Sequence, residues 1–126
     1  MSGLRWWLAW TCLMAVLLVC AEVSAHAVIV KAAPAQDAVL SKSPPAVSVW
    51  FNEALEAAFS SVTVSDSEAR VVAQGKLEAL SDNGLKLALA EPLPAGTYTV
   101  RYRVLSVDGH IVEGHTQFVI EAGAGR

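Results

Sequence analysis

From residue 26 onward, apolar and polar residues alternate in short runs that are separated by turn residues. No window in this part sustains a long apolar period of 3.6 residues, so the pattern predicts strands rather than helices. In the clearest strand, Gly96–Val104, polar residues alternate with Tyr98, Val100, Tyr102 and Val104. This alternation predicts one face packed in a core and the other face in water.

Seven such runs predict an all-β domain. They are Ala27–Val30, Ala46–Phe51, Ser61–Val64, Ala69–Ala73, Gly84–Leu89, Gly96–Val104 and Gly114–Ile120. Residues that favour turns separate them, as in Ser43-Pro44-Pro45, Asp82-Asn83-Gly84 and Asp108-Gly109. About seven short strands at this spacing are typical of a β-sandwich or a small β-barrel.

The first 25 residues have the features of a secretory signal peptide. Arg5 precedes an apolar run from Trp6 to Ala21, and the small residues of Val23-Ser24-Ala25 follow. Cleavage after Ala25 would make His26 the first residue of the mature protein. We therefore expect residues 1–25 to be a leader and residues 26–126 to form one domain.

Two other readings of the leader are less favoured. An uncleaved membrane anchor would need about 20 apolar residues, and the run approaches that length. However, a polar residue and the cleavage signature follow at once, without a basic stop-transfer cluster. Lipid attachment at Cys20 is disfavoured because Val19 stands where a small residue is expected.

Removing the leader changes the chemistry that is open to the chain. Both cysteines and both methionines lie within it, so the mature part has no disulfide and no thiolate or thioether ligand. The leader's Arg5 and Glu22 cancel, so the formal charge remains −3. The charges are spread without a basic patch, and we expect no nucleic-acid partner.

Three residues could together hold a metal ion. An N-terminal His26 would offer its α-amine and its ring Nδ1 as a chelate from one residue. Asp108 and His110 are two positions apart, so in an extended chain they point to the same side. This set of nitrogen and oxygen donors suits Cu(II) in a tetragonal arrangement better than Zn²⁺, Mg²⁺ or Ca²⁺.

Taken singly, each of these residues has an ordinary explanation. His26 would simply be the residue that the protease left at the terminus. Asp108 is a common turn former before glycine. His110 would be a loop histidine that is hydrogen-bonded to the backbone.

The whole mature chain resembles the CopC family of periplasmic copper-handling proteins. The resemblance rests on four segments in the family's order: HAVIVKAAPAQDAVL after the leader, VSVWFNEALEAAFSSVTV, PLPAGTYTVRYRV, and SVDGHIVEGHTQFVI near the end. It implies a Greek-key β-sandwich or barrel of cupredoxin-like shape. It also implies that one Cu(II) ion is bound through His26, Asp108 and His110.

Two further residues, Glu53 and His115, are weaker candidates for the copper site. Glu53 matches a glutamate that lies beside the copper site in some members, so it is a candidate axial or outer group, or else a solvated residue at a strand end. His115 is not part of the family pattern. It is a candidate extra ligand, although its parity is opposite to that of the core residues Phe118 and Ile120, which favours a solvent-facing position. Members that hold Cu(I) use a methionine-rich loop, which is absent here, so no Cu(I) site is expected.

The function that these features predict is a periplasmic Cu(II) carrier in copper homeostasis and resistance. The resemblance implies a CopD-type membrane copper transporter as its partner. One alternative is a copper-dependent oxidative enzyme that uses an N-terminal histidine chelate, which is disfavoured because the few aromatic residues fall in strands. The other alternative is a metal-free Ig-like interaction module.

Overall fold

The computed structural model describes residues 27–123. The expected leader and His26 therefore lie outside the described residues. Within the described range the chain forms nine strands and one short 3-10 helix at Ala57–Phe59. The strands are β1 (Ile29–Ala33), β2 (Ala38–Leu40), β3 (Ala46–Phe51), β4 (Ser61–Ser65), β5 (Val71–Ala73), β6 (Glu78–Ser81), β7 (Gly84–Ala88), β8 (Gly96–Leu105) and β9 (Ile111–Ile120).

Two sheets make up the domain. One has four strands in the order β1-β3-β7-β6, and the other has five in the order β2-β9-β8-β4-β5. Every pair of neighbours is antiparallel except β2 and β9, which run parallel. The all-β prediction is confirmed, because the described residues form two β-sheets and no α-helix, with nine strands where about seven were predicted.

Two strands were not predicted. In β6 all four residues are exposed, so no apolar alternation marks it. In β2 only three residues pair, and their partner is β9 at the other end of the chain. The first strand was also expected at Ala27–Val30 but forms at Ile29–Ala33, with an irregularity in its pairing to β3 at Val30.

The core lies between the sheets and follows the predicted parity. On β8, Tyr98, Val100 and Val104 are buried, whereas Tyr102 is half-buried. Phe51 meets Tyr102 edge-on with ring centroids 5.2 Å apart, and Tyr98 stacks on Phe118 at 5.5 Å. Each large apolar side chain buried in this way contributes about 1.5–3 kcal/mol. Packing therefore fixes how β8, β9 and β3 face one another.

Candidate metal site

The turn between β8 and β9 carries the predicted pair Asp108 and His110. These strands pair along their whole length, from Gly96 opposite Ile120 to Leu105 opposite Ile111. The five residues between them close the hairpin with two backbone hydrogen bonds. The Ser106 amide donates to the His110 carbonyl at 2.9 Å, and the Gly109 amide donates to the Ser106 carbonyl at 3.0 Å.

The hairpin brings the two predicted ligands into direct contact. His110 Nδ1 lies 3.0 Å from Asp108 Oδ1, and the His110 amide donates to the same oxygen at 3.1 Å. The Ser106 hydroxyl also donates to Asp108 Oδ1. Within the described chain, all hydrogen bonds of this carboxylate therefore involve Oδ1.

These contacts define the charge on Asp108 and the tautomer of His110. The hydrogen bond from the Ser106 hydroxyl, together with that from the His110 amide, holds the pKa of Asp108 below its ordinary value. The carboxylate is then ionised at neutral pH and can only accept. Since an ionised carboxylate has no proton to give, Nδ1 of a neutral His110 carries the proton and Nε2 carries the lone pair.

The start of the described chain lies beside this region. Ala27 is buried, with 2% of its surface exposed. The next residue is held by a pair of hydrogen bonds: the Val28 amide donates to Asn52 Oδ1 at 2.7 Å, and the Asn52 amide donates to the Val28 carbonyl at 3.0 Å. The chain therefore enters the domain next to Asn52 and its neighbour Glu53.

The segment after Asn52 lies alongside the β8–β9 turn. Leu55 forms an isolated antiparallel bridge with Ser106, and the Val107 amide donates to the Ala54 carbonyl at 3.1 Å. Glu53 immediately precedes this contact. Its Oε1 is, among residues 27–123, the one buried side-chain polar atom without a hydrogen-bond partner. A buried carboxylate oxygen in this state is a ready acceptor for a cation or a donor.

His115 occupies a different position. It is exposed on β9, opposite Arg101 of β8, and its burial agrees with the solvent-facing orientation that parity favoured. No group of three His, Cys, Asp or Glu side chains that could hold a metal ion occurs within the described part of the chain. The fold does bring Asp108 and His110 into contact.

Sequence reasoning missed two residues near the pair. Ser106 is 1% exposed and contacts Asp108, and Asn52 holds the entering chain. Ser106 had a signal, since a serine two residues before an Asp-Gly turn is a common local capping pattern. Asn52 had none, because its partner is 24 residues away in the sequence.

Comparison with known proteins identifies the relatives of this fold and site. The model of the CopC domain matches residues 29–121. The chain belongs to the CopC family. This family comprises copper resistance and copper transport proteins rather than enzymes, which confirms the prediction that the chain is not an enzyme.

Two curated relatives match most of this chain. The copper transport protein CutJ of Bacillus subtilis (strain 168) is 34% identical over 119 residues, which is 92% of this chain. The chain spans only 21% of the length of CutJ. Protein YobA of Escherichia coli (strain K12) is 35% identical over 106 residues, covering 82% of this chain and 86% of YobA.

Solved structures agree with the fold. CopC from Methylosinus trichosporium OB3b is 34% identical, with a TM-score of 0.73, and the match covers 80% of this chain and 99% of that one. PcoC, a methionine-rich copper resistance protein from Escherichia coli, superposes with a TM-score of 0.66 over 77% of this chain and all of PcoC. At 24% identity, PcoC supports the fold alone.

Proposed function

We propose that this chain is a periplasmic Cu(II)-binding carrier of copper homeostasis and resistance. The observation that carries the proposal is the direct contact of Asp108 with His110 beside the point where the described chain begins. Membership in a family of copper proteins supports the choice of metal. An imidazole and a carboxylate at one turn also match the donors that Cu(II) accepts.

His26 supplies the remaining donors in this proposal. It is joined directly to Ala27, and consecutive Cα atoms are about 3.8 Å apart. The hydrogen bonds between Val28 and Asn52 hold that part of the chain next to the segment that contacts the β8–β9 turn. Cleavage after Ala25 would free the α-amine of His26, which chelates Cu(II) together with the ring Nδ1.

The hydrogen bonds of the turn assign atoms to the other two ligands. Oδ1 of Asp108 is used by its neighbours, so Oδ2 is the oxygen that we assign to the copper. Nε2 of His110 carries the lone pair in the tautomer that faces Asp108, so it is the assigned nitrogen. One bound Cu(II) would then have three nitrogen donors and one oxygen donor.

Glu53 is assigned an axial or outer role. Its buried Oε1 lacks a hydrogen-bond partner among the described residues, and the segment that follows it contacts Ser106 and Val107. His115 has no part in the principal site, because it is exposed on β9 opposite Arg101. A second, weaker copper association at His115 would be independent of His26.

The proposal restricts the bound metal to Cu(II) and names a membrane protein as the partner. PcoC is described as methionine-rich, whereas residues 27–123 of this chain contain no methionine, so Cu(I) would have no thioether ligand. In CutJ, a segment similar to this chain forms about a fifth of a copper transport protein. That fusion supports delivery of copper to a CopD-type transporter. No helix among residues 27–123 is long and apolar enough to cross a membrane.

The proposal is tested by a competition titration with Cu(II) followed by EPR. Protein beginning at His26 is compared with the same protein carrying one extra glycine before His26, which blocks only the chelate of amine and ring. We expect one tight, nitrogen-rich tetragonal Cu(II) in the first form and a large loss of affinity in the second. The affinity should also fall in acid, because the amine and imidazoles must lose protons to bind.

Two other results would reject parts of the proposal. If both forms bind Cu(II) equally weakly, the site is wrong and the domain is better studied as a metal-free interaction module. If both bind equally tightly, copper is held without the N-terminal chelate. Transfer to the transporter is a separate question, addressed by mixing copper-loaded protein with the purified membrane partner and measuring metal movement.

A further inference from the structure

Ser106 is a polar residue whose surface is almost entirely buried. Its exposure is 1%, compared with the exposed Asp108 and His110 that follow it. Both of its backbone groups are occupied within the turn, the amide by the His110 carbonyl and the carbonyl by the Gly109 amide. Its bridge to Leu55 fixes it against the neighbouring segment. The side-chain hydroxyl is therefore held in a defined place.

That hydroxyl makes two hydrogen bonds, both to Asp108. It donates to Asp108 Oδ1 and accepts from the Asp108 amide, with 3.2 Å between the nitrogen and Oγ. A hydroxyl supplies one donor and two acceptor sites, so its donor is fully used on the carboxylate. Rotation of the Asp108 side chain away from this position would leave the proton of a buried hydroxyl without its acceptor, which is costly.

The same carboxylate oxygen then holds the ring of His110. Oδ1 lies 3.0 Å from His110 Nδ1 and 3.1 Å from the His110 amide nitrogen. Hydrogen bonds from Ser106 and His110 thus converge on one oxygen. A carboxylate that accepts from one ring nitrogen of a histidine fixes which tautomer the other nitrogen presents.

We propose that Ser106 is the positioning residue of this site. Through Asp108 Oδ1 it holds His110 as the Nδ1–H tautomer, in which Nε2 is the ring nitrogen with a lone pair, the donor atom assigned above together with Asp108 Oδ2. Ser106 does not touch the metal. The inference deepens the proposed function and rests on it for the consequence in copper binding, but its effect on the tautomer of His110 concerns the metal-free protein.

The test replaces Ser106 by alanine and uses Ser43→Ala as the matched control. Ser43 Oγ also accepts a backbone hydrogen bond, from the Leu93 amide at 2.8 Å. Leu93 lies in the connection that leads into the start of β8, whereas Ser106 follows the end of that strand. Both variants lose one hydroxyl that caps a loop amide, and only Ser106→Ala loses the link to Asp108.

Two readouts are measured for each protein. Ring ¹⁵N chemical shifts of His110 in metal-free protein report the tautomer, and a Cu(II) competition titration with EPR reports affinity and ligand geometry. Removing a partner that orients a ligand typically costs about 10–100-fold in metal affinity. For Ser106→Ala we expect at least about a tenfold loss, a changed EPR spectrum and a mixture of His110 tautomers. Ser43→Ala should match the wild type in all three.

Several outcomes would overturn the inference. One is a wild-type protein whose metal-free His110 carries its proton on Nε2, a measurement that does not depend on any variant folding. Another is Ser106→Ala with unchanged tautomer, affinity and spectrum. If the wild type binds no Cu(II) but shows the Nδ1–H tautomer and Ser106→Ala loses it, the proposed function fails and the positioning of His110 stands.

Discussion

Two turns of the five-stranded sheet, residues 66–70 between β4 and β5 and residues 106–110 between β8 and β9, share one backbone arrangement. In each turn the amide of the first residue donates to the carbonyl of the fifth at 2.9 Å. The amide of the fourth residue donates to the carbonyl of the first, at 3.1 Å in one turn and 3.0 Å in the other. The fourth residue has a positive φ in both, 62° for Ala69 and 93° for Gly109.

The side chains cap this common backbone in different ways. In the first turn Asp66 alone accepts from the amides of Glu68 and Arg70, at 2.9 and 3.0 Å. In the second turn the same task is divided: the hydroxyl of Ser106 takes the amide of the third residue, and Asp108 takes the amide of the fifth. Because the Ser106 hydroxyl accepts from the Asp108 amide, capping in the second turn uses a serine in first place and a carboxylate in third place, and that carboxylate contacts His110.

The residue in fifth place differs between the two turns, arginine in one and histidine in the other. Arg70 Nη2 lies 2.5 Å from Glu68 Oε2, and its Nε lies 3.4 Å from Asp66 Oδ2. Arginine has no lone pair to offer a metal, and its charge neutralises the carboxylates. His110 instead has a second ring nitrogen that carries a lone pair. The comparison shows that one turn geometry can hold either an ion pair with arginine or a carboxylate in contact with an imidazole.

The largest effect is expected when His110 of the β8–β9 turn is replaced by arginine, the residue that holds the same place in the β4–β5 turn. His110→Arg removes the imidazole nitrogen and places a permanent positive charge beside Asp108, as Arg70 does beside Glu68. We expect Cu(II) affinity to fall at least about 100-fold, because a ligand is lost and a cation repels the ion. Competition titration measures the affinity, and thermal unfolding checks that the fold is kept.

The reciprocal change tests whether the turn is sufficient. Arg70→His creates a carboxylate and an imidazole in third and fifth place, but far from Asn52 and the start of the described chain. No Cu(II) binding comparable with that of the wild-type site is expected. If this variant gained a tight second Cu(II), the turn by itself would make the site, and the contribution assigned to His26 would be contradicted.

A smaller effect, on stability, is expected from substituting the two residues with positive φ, Ala69 by glycine and Gly109 by alanine. Ala69 adopts a left-handed conformation that costs an alanine roughly 1 kcal/mol and costs glycine little. Ala69→Gly should therefore raise the free energy of unfolding by up to about 1 kcal/mol, and Gly109→Ala should lower it by about 1 kcal/mol or more. An added Cβ at Gly109 meets nothing within 4 Å, so its cost comes from the backbone and not from a clash.

Denaturant unfolding of both variants measures these changes. Equal and small effects at the two positions would show that the turns tolerate alanine alike. The shared positive φ would then have no energetic weight.

The smallest effect is expected from the two capping aspartates in acid. The pKa of Asp66 is lowered, first by the hydrogen bond from the Arg70 amide, and that of Asp108 first by the hydrogen bond from the Ser106 hydroxyl. A group whose pKa is lower in the folded state adds stability above its unfolded pKa, about 4, and loses it as the pH falls through the folded value. Metal-free wild type should thus lose stability below about pH 4.

Asp66→Asn and Asp108→Asn should each flatten this loss. Urea unfolding of the three metal-free proteins between pH 7 and pH 3 measures it. Because both carboxylates are largely solvated, the differences should be modest. If neither variant differs from the wild type in its acid dependence, the hydrogen bonds at Asp66 and Asp108 do not survive in solution.

Much of the fold could be predicted from local patterns. Alternation along Gly96–Val104 marked which residues of β8 face the core, and Phe118 and Ile120 were assigned to the core face of β9 by the same rule. The strand β6 could not be found in this way, because its residues are all exposed and its stability comes from pairing with β7. The strand β2 depends on a partner about 80 residues away, and no short window carries that information.

In the candidate site, too, some features could be predicted from local sequence and others depend on contacts between distant segments. Asp108 and His110 were marked by spacing and by the Asp-Gly turn, since both properties are local. The burial of Ser106 was not marked, because it arises from the bridge to Leu55, a contact between distant segments. The buried and unpaired Oε1 of Glu53 was likewise invisible, although the residue itself was a candidate.

By itself the sequence determined the residue types, their alternation and the chemistry of each donor. Those properties depend on neighbours along the chain, which is why an all-β domain and the pair Asp108 and His110 could be predicted. Only the tertiary structure decided that Asn52 holds the entering chain beside the β8–β9 turn and that Ser106 reaches Asp108 from a buried position. The reason is physical: hydrogen-bond partners and burial are set by packing between segments that are far apart in the sequence.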